Sequence, residues 1–176
     1  GRTRVDTEVR WPDPTGSDRG TSNGGTGVAL THLNDQVLPN AAFMPLEEMF
    51  ADSPDRTRVH AFIVKPPKFV ATRKYPVLFL IHGGPQGSWG EEWTYRWNAQ
   101  VFAGAEYLVV MPNPRGSTGY GQKYTEEISG DWGGKAYEAI MAVLERVAAL
   151  PFAGGHPPVS PGGPQAGPWV GWVLGH

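Results

Sequence analysis

Two stretches of the chain are apolar on nearly consecutive positions. Tyr75 to Ile81 reads YPVLFLI, and Ala105 to Met111 reads AEYLVVM. Neither alternates as a half-exposed strand would, so each predicts a strand covered on both faces. Val59 to Val64 is a shorter apolar strand, stopped by Pro66 and Pro67. Between the two long runs, Trp93, Trp97 and Val101 fall at four-residue steps, which predicts a helix over 91–103 with Gly104 as its cap. A short helix is expected from Gln122 to Ile128. A longer one is expected from Lys135 to Leu150, with Tyr137, Ile140, Met141, Leu144, Val147 and Ala148 on one face. Asp131, just ahead of it, is a candidate N-terminal cap. Strands alternating with helices argue for an α/β fold with a mostly parallel sheet.

The ends lack this pattern. Residues 1–27 are polar and turn-rich, and they read as loop; Val28 to Leu33 could add one short strand. Residues 34–58 mix prolines with charges and read as a connection with little regular structure. The last 26 residues hold seven glycines and six prolines, so half of that segment disfavours helix and strand interiors. The expected organisation is therefore 1–34 as linker, 35–150 as the folded domain and 151–176 as a Gly/Pro-rich tail. The opening GRTRVDTEVR reads as the middle of something larger.

Composition narrows the function classes. Fifteen basic and 17 acidic side chains are spread along the chain for a net charge of −2, so no basic stripe suggests nucleic acid. The longest clearly apolar runs are five residues, far short of the roughly 20 a membrane-spanning helix needs. With no cysteine, disulfides and thiol catalysis are excluded. No cofactor or metal is expected.

The candidate chemistry lies where the first long strand runs into His82-Gly83-Gly84-Pro85. Chain leaving the C-terminal edge of a parallel sheet sits where such folds bind ligands. Glycines there let backbone amides approach a substrate oxygen with no Cβ in the way. A tight turn would read the same way in isolation. Two further landmarks follow in order. They are Val110-Met-Pro-Asn-Pro-Arg-Gly-Ser-Thr-Gly-Tyr-Gly121 and Asp131-Trp-Gly-Gly134 before the long helix.

With Tyr75 to Trp89 and the Trp93-Thr-Tyr-Arg-Trp-Asn98 segment, these landmarks resemble the prolyl oligopeptidase family of serine peptidases. The likeness is strongest to its acylaminoacyl and dipeptidyl peptidase branch. It covers about 120 residues, from Leu30 to Leu150. It implies an incomplete α/β-hydrolase fold, preceded by a linker from a missing β-propeller, with residues 1–34 as that linker or as the end of the propeller. The implied activity is hydrolysis of short peptides by acyl transfer to a serine, in a parent that is secreted or periplasmic. It implies an oxyanion hole using the amide of Gly84, or that of Gly83, with His82 shaping the turn. Pro85, Arg115 and Tyr120 would line the cleft, although an arginine after a strand equally often ties loops together. Trp89, Trp93 and Trp97 are expected to pack rather than to touch ligand.

The same resemblance exposes a gap. The family serine sits on a Gly-x-Ser-x-Gly turn, and none of the serines at 17, 22, 53, 88, 117, 129 and 160 has glycine on both sides at that spacing. The tail segment Gly162-Gly-Pro-Gln-Ala-Gly167, with Trp172 to His176 after it, aligns with the family's nucleophile region. Pro164 then stands at the nucleophile position, where it has no hydroxyl to attack with. His176 aligns with a helix histidine and not with the triad. Three readings follow: a serine-peptidase fragment inactive alone, a non-catalytic binding module, and a carboxylesterase-like hydrolase. HGGP rather than HGGG at 82–85 favours the peptidase over the esterase. An uncovered sheet would favour self-association.

Overall fold

A computed structural model describes residues 3–8, 16–21, 28–29, 36, 41–84, 86–91, 93–131 and 133–154. Expectations for Pro85, Trp132, Pro164, His176 and most of the tail lie outside these residues. The segment expected to be largely irregular contains three strands, β1 (Thr3–Glu8), β2 (Gly16–Thr21) and β3 (Val28–Ala29). They pair antiparallel in that order. Polar, turn-rich composition hid them, because backbone pairing rather than apolar patterning makes these strands.

The second sheet holds the candidate site. Its order is β4 (Leu46–Asp52), β5 (Arg58–Val64), β7 (Leu108–Asn113) and β6 (Val77–Phe79). β6 and β7 are parallel neighbours, as a βαβ crossover requires. β5 pairs antiparallel with both β4 and β7. The α/β-hydrolase reading stands, but "mostly parallel" is corrected for the described strands: two of these three pairings are antiparallel. One of them follows from the tight β4–β5 connection, 53–57, which can only make a hairpin. In it Ser53 N–H donates to Thr57 O and Thr57 N–H donates to Asp55 Oδ1. β4 itself was expected to be a structureless connection. It is an outer strand carrying Glu47, Glu48 and Asp52, and only Ala51 is buried. Charge on an outer strand discourages further pairing, and it also erases the apolar signal.

Along β5, β6 and β7, successive residues enter two different cores. Val59, Ala61, Ile63, Val77, Phe79, Leu108 and Val110 meet α3 (Lys135–Ala148) on one face. Phe62, Val64, Leu78, Leu80, Val109 and Met111 meet α1 (Ala99–Gly104) and the rings of Trp89 and Trp97 on the other. This explains the runs without alternation: both faces are covered. α3 buries Ala136, Ala139, Ile140, Val143 and Val147, a stripe rotated from the expected one, with Ala148 exposed. Small alanines let the helix lie close to the sheet, so the closest face is not the one with the largest side chains.

α1 starts at Ala99 and not at 91, because Asn98 caps it by accepting from Gln100 N–H at 2.9 Å. Trp93 and Trp97 therefore precede the helix, and Val101 is exposed. α2 (Gln122–Glu126) is a single short turn. After α3 the chain returns beside β6: Tyr75 N–H donates to Phe152 O, and Gly154 N–H donates to Tyr75 O. This parallel bridge, Tyr75 with Ala153, begins a further strand position outside β6. Among the described residues no helix is long and apolar enough to cross a membrane.

Candidate active-site edge

Because β6 and β7 are parallel neighbours, the chain leaving each emerges at the same sheet edge. The 82–89 loop and the 113–120 loop meet there. Thr118 N–H donates to Gly87 O at 2.9 Å, and His82 Nε2 lies 2.9 Å from Ser117 Oγ. Gly83 and Gly84 are exposed, and among the described residues their N–H groups have no acceptor. Gly84 has φ +140°, and a Cβ there would stand 2.8 Å from Gln86 N and 3.0 Å from Gly87 N. The loop doubles back so tightly that only glycine fits.

His82 is half-buried between the loops. Its Nδ1 lies 3.1 Å from Gly83 O. Burial pushes its pKa below the usual histidine value, and the Gly83 carbonyl opposes that in part. Ser117 Oγ also faces Pro114 O, at 2.6 Å. A serine hydroxyl beside an imidazole looks like a nucleophile and base. Ser117 is completely buried, however, and the imidazole is oriented by a carbonyl and not by a carboxylate. The pair joins two loops.

Arg115 does not line an open cleft. Its side chain is only 1% exposed, and it bonds Asp55 Oδ1 at 2.6 Å and the carboxylate of Glu127. It thereby ties the β4–β5 turn to the end of α2, which is the loop-tying alternative. Glu127 also accepts from Lys135 Nζ at 2.8 Å, so the first turn of α3 joins the same cluster. The hydrogen bond from Arg115, reinforced by the Thr57 amide, lowers the Asp55 pKa from 3.8 to about 2. Asp131, the expected cap, accepts from Lys135 N–H at 3.3 Å, while Gly134 occupies the cap position itself. A side chain at Gly134 would collide with the Asp131 carboxylate.

Tyr120 is part of a polar chain that the sequence did not reveal. Its hydroxyl accepts from Asn113 Nδ2 at 2.8 Å and donates to His60 Nδ1 at 2.5 Å. His60 Nε2 in turn lies 3.5 Å from Glu48 Oε1. Burial lowers the pKa of His60, with the Glu48 carboxylate opposing and Arg58 assisting. Burial raises that of Tyr120. Trp89 donates its indole N–H to Leu80 O at 2.7 Å and packs on the α1-side core. Trp93 lies edge-on to Phe43 at 5.5 Å between ring centres.

Residues 93–176 match the profile of the Prolyl oligopeptidase family. Over 144 residues, 81% of the chain, the sequence is 44% identical to dipeptidyl-peptidase 5 of Trichophyton equinum. The chain belongs to the prolyl oligopeptidase family. Dipeptidyl-peptidase 5 of Schizosaccharomyces pombe is also 44% identical, over 154 residues and 85% of the chain. The chain spans only about a fifth of the length of these relatives, 20% and 22% respectively. In structure it resembles the acylaminoacyl peptidase of Pyrococcus horikoshii, with a TM-score of 0.85 at 23% identity over 97% of this chain and 27% of that one. A puromycin-hydrolyzing peptidase of Mycobacterium tuberculosis gives a TM-score of 0.79 at 23% identity, over 97% of this chain and 27% of that one. At that identity the likeness establishes the α/β-hydrolase fold alone.

Proposed function

We propose that this chain carries the oxyanion side of a peptidase acyl-transfer site and none of the groups that attack. The observation that carries the reading is the pair of exposed amides at Gly83 and Gly84, which have no acceptor among the described residues, beside the end of the parallel β6–β7 pair. Amides fixed in this way can receive the charge that builds on a carbonyl oxygen during acyl transfer. The substrates of the intact parent would be short peptides, in keeping with the names of its relatives. The nucleophile is absent for a stated reason: no serine of the chain lies in Gly-x-Ser-x-Gly. Ser117, the serine beside His82, is sealed from substrate. By itself the chain is therefore catalytically silent. Self-association through an incompletely covered sheet belongs to the same reading, with the folded domain running past 150 to the Tyr75–Ala153 bridge. A gap of about 140 Å³ between Phe79, Leu144, Val147 and Ala153 supports the incomplete cover.

The test is reaction of the purified chain with a fluorophosphonate probe, read by intact mass. No adduct is expected. Stoichiometric labelling of any one serine would overturn the reading.

A further inference from the structure

The 82–89 loop must hold its two free amides still without bonding to them. Asn113, the last residue of β7, is placed to do so. It is completely buried, yet its carboxamide is fully engaged. Oδ1 accepts from Trp89 N–H at 2.7 Å, while Nδ2 donates to Trp89 O at 3.1 Å and to Tyr120 OH at 2.8 Å. One side chain thus grips the main chain of Trp89 through both its donor and its acceptor. The neighbouring ties differ in kind: Trp89 Nε1 to Leu80 O holds only the ring, and Thr118 N–H to Gly87 O lies at an exposed residue.

We propose that Asn113 is the positioning residue of the glycine loop, locking Trp89 so that the Gly83 and Gly84 amides keep one orientation. Its role in a reaction rests on the oxyanion reading above; its grip on the loop does not. The orientation of the carboxamide is itself enforced. Rotated by half a turn, it would set oxygen against Trp89 O and nitrogen against Trp89 N–H. Tyr120 adds a third constraint. Its hydroxyl can accept from Nδ2 because its own proton is directed to His60 Nδ1. An Asn between two prolines at the end of an apolar strand was visible in the sequence, but its partner lies 24 residues away.

Asn113→Asp tests this on the chain as it stands. The carboxyl keeps the size and the acceptor for Trp89 N–H. When protonated it also supplies a donor toward Trp89 O; when ionised it presents a second oxygen there. Residue-resolved amide exchange, as the ratio of variant to wild type at each pH, should lie closest to wild type below the new carboxyl's pKa, where only the bond to Tyr120 is lost. Above it, Trp89 N–H, the loop amide that Asn113 holds, should exchange about tenfold faster, as expected for one lost buried hydrogen bond. Amides of β7 and α3 should stay near wild type throughout. A ratio flat with pH, or a rise shared equally by β7 and α3, would overturn the proposal, since a packing role alone has no titration. Should Asn113→Asp fail to fold, Tyr120→Phe frees one Nδ2 hydrogen, and loop exchange unchanged in that variant would overturn it as well. These outcomes are independent of fluorophosphonate labelling, which bears on the oxyanion reading only.

Discussion

Two loops leave the same edge of one sheet and are built in opposite ways. The 82–89 loop is glycine-rich and presents Gly83 and Gly84 to solvent. The 113–120 loop begins with five buried residues, Asn113 to Ser117, and its Asn113 carboxamide and Arg115 terminal nitrogens bond partners from β4–β5, α2 and the first loop. One loop offers hydrogen-bond donors, and the other fixes where they are offered. A backbone donor site cannot anchor itself, because an amide that is already paired has nothing left for a ligand. Its rigidity must come from a neighbour, and here the neighbour spends a buried arginine and a buried asparagine on it.

The sharpest way to break this contrast is Arg115→Met. The guanidinium is buried and joins the 53–57 turn to the end of α2, so its loss leaves Glu127, itself only 14% exposed, with one of its two cations gone. Denaturant unfolding should show a loss of about 3 kcal/mol, the usual cost of breaking a buried ion pair from one side. A loss under about 0.5 kcal/mol, the scale of a surface substitution, would mean that the holding loop does not depend on its ion pairs.

A smaller effect sharpens the same point through pH. Asp55 titrates near 2 when folded, against 3.8 for the free side chain. The unfolded chain binds its proton first, so the stability this carboxylate contributes is fully present above about pH 4. It is lost as pH falls toward 2. The Asp55 side chain is 39% exposed, so solvent screening reduces the contribution to roughly 1 kcal/mol. Asp55→Asn should flatten this part of the stability–pH curve, as measured by thermal melts from pH 5 to pH 2. An identical acid slope in the variant and wild type would remove Asp55 from the tie.

What the sequence made legible divides along similar lines. β5, β6, β7 and α3 were readable because burial on both faces, or on one helical face, writes itself into residue type. β4 was not, because an outer strand gains its order from pairing and is protected by charge. The start of α1 depended on one cap at Asn98, which outweighed a tryptophan spacing that looked helical. At the site, the glycine loop was legible from its chemistry. The supports were not: Arg115 reads as either a ligand contact or a tie until Asp55 and Glu127 are seen beside it. Likewise, nothing in the order of residues brings His60 to Tyr120 or Asn113 to Trp89. Those contacts exist only because β5, β6 and β7 are neighbours.

Residue-resolved amide exchange on the wild-type chain tests the contrast most directly. The Gly83 and Gly84 amides should exchange near the rate of unstructured peptide, while Trp89 N–H in the same loop and Gly116 and Ser117 N–H in the other are protected at least about tenfold. Protection of Gly83 and Gly84 equal to that of Trp89, or exchange of all of these amides at one fast rate, would contradict the account.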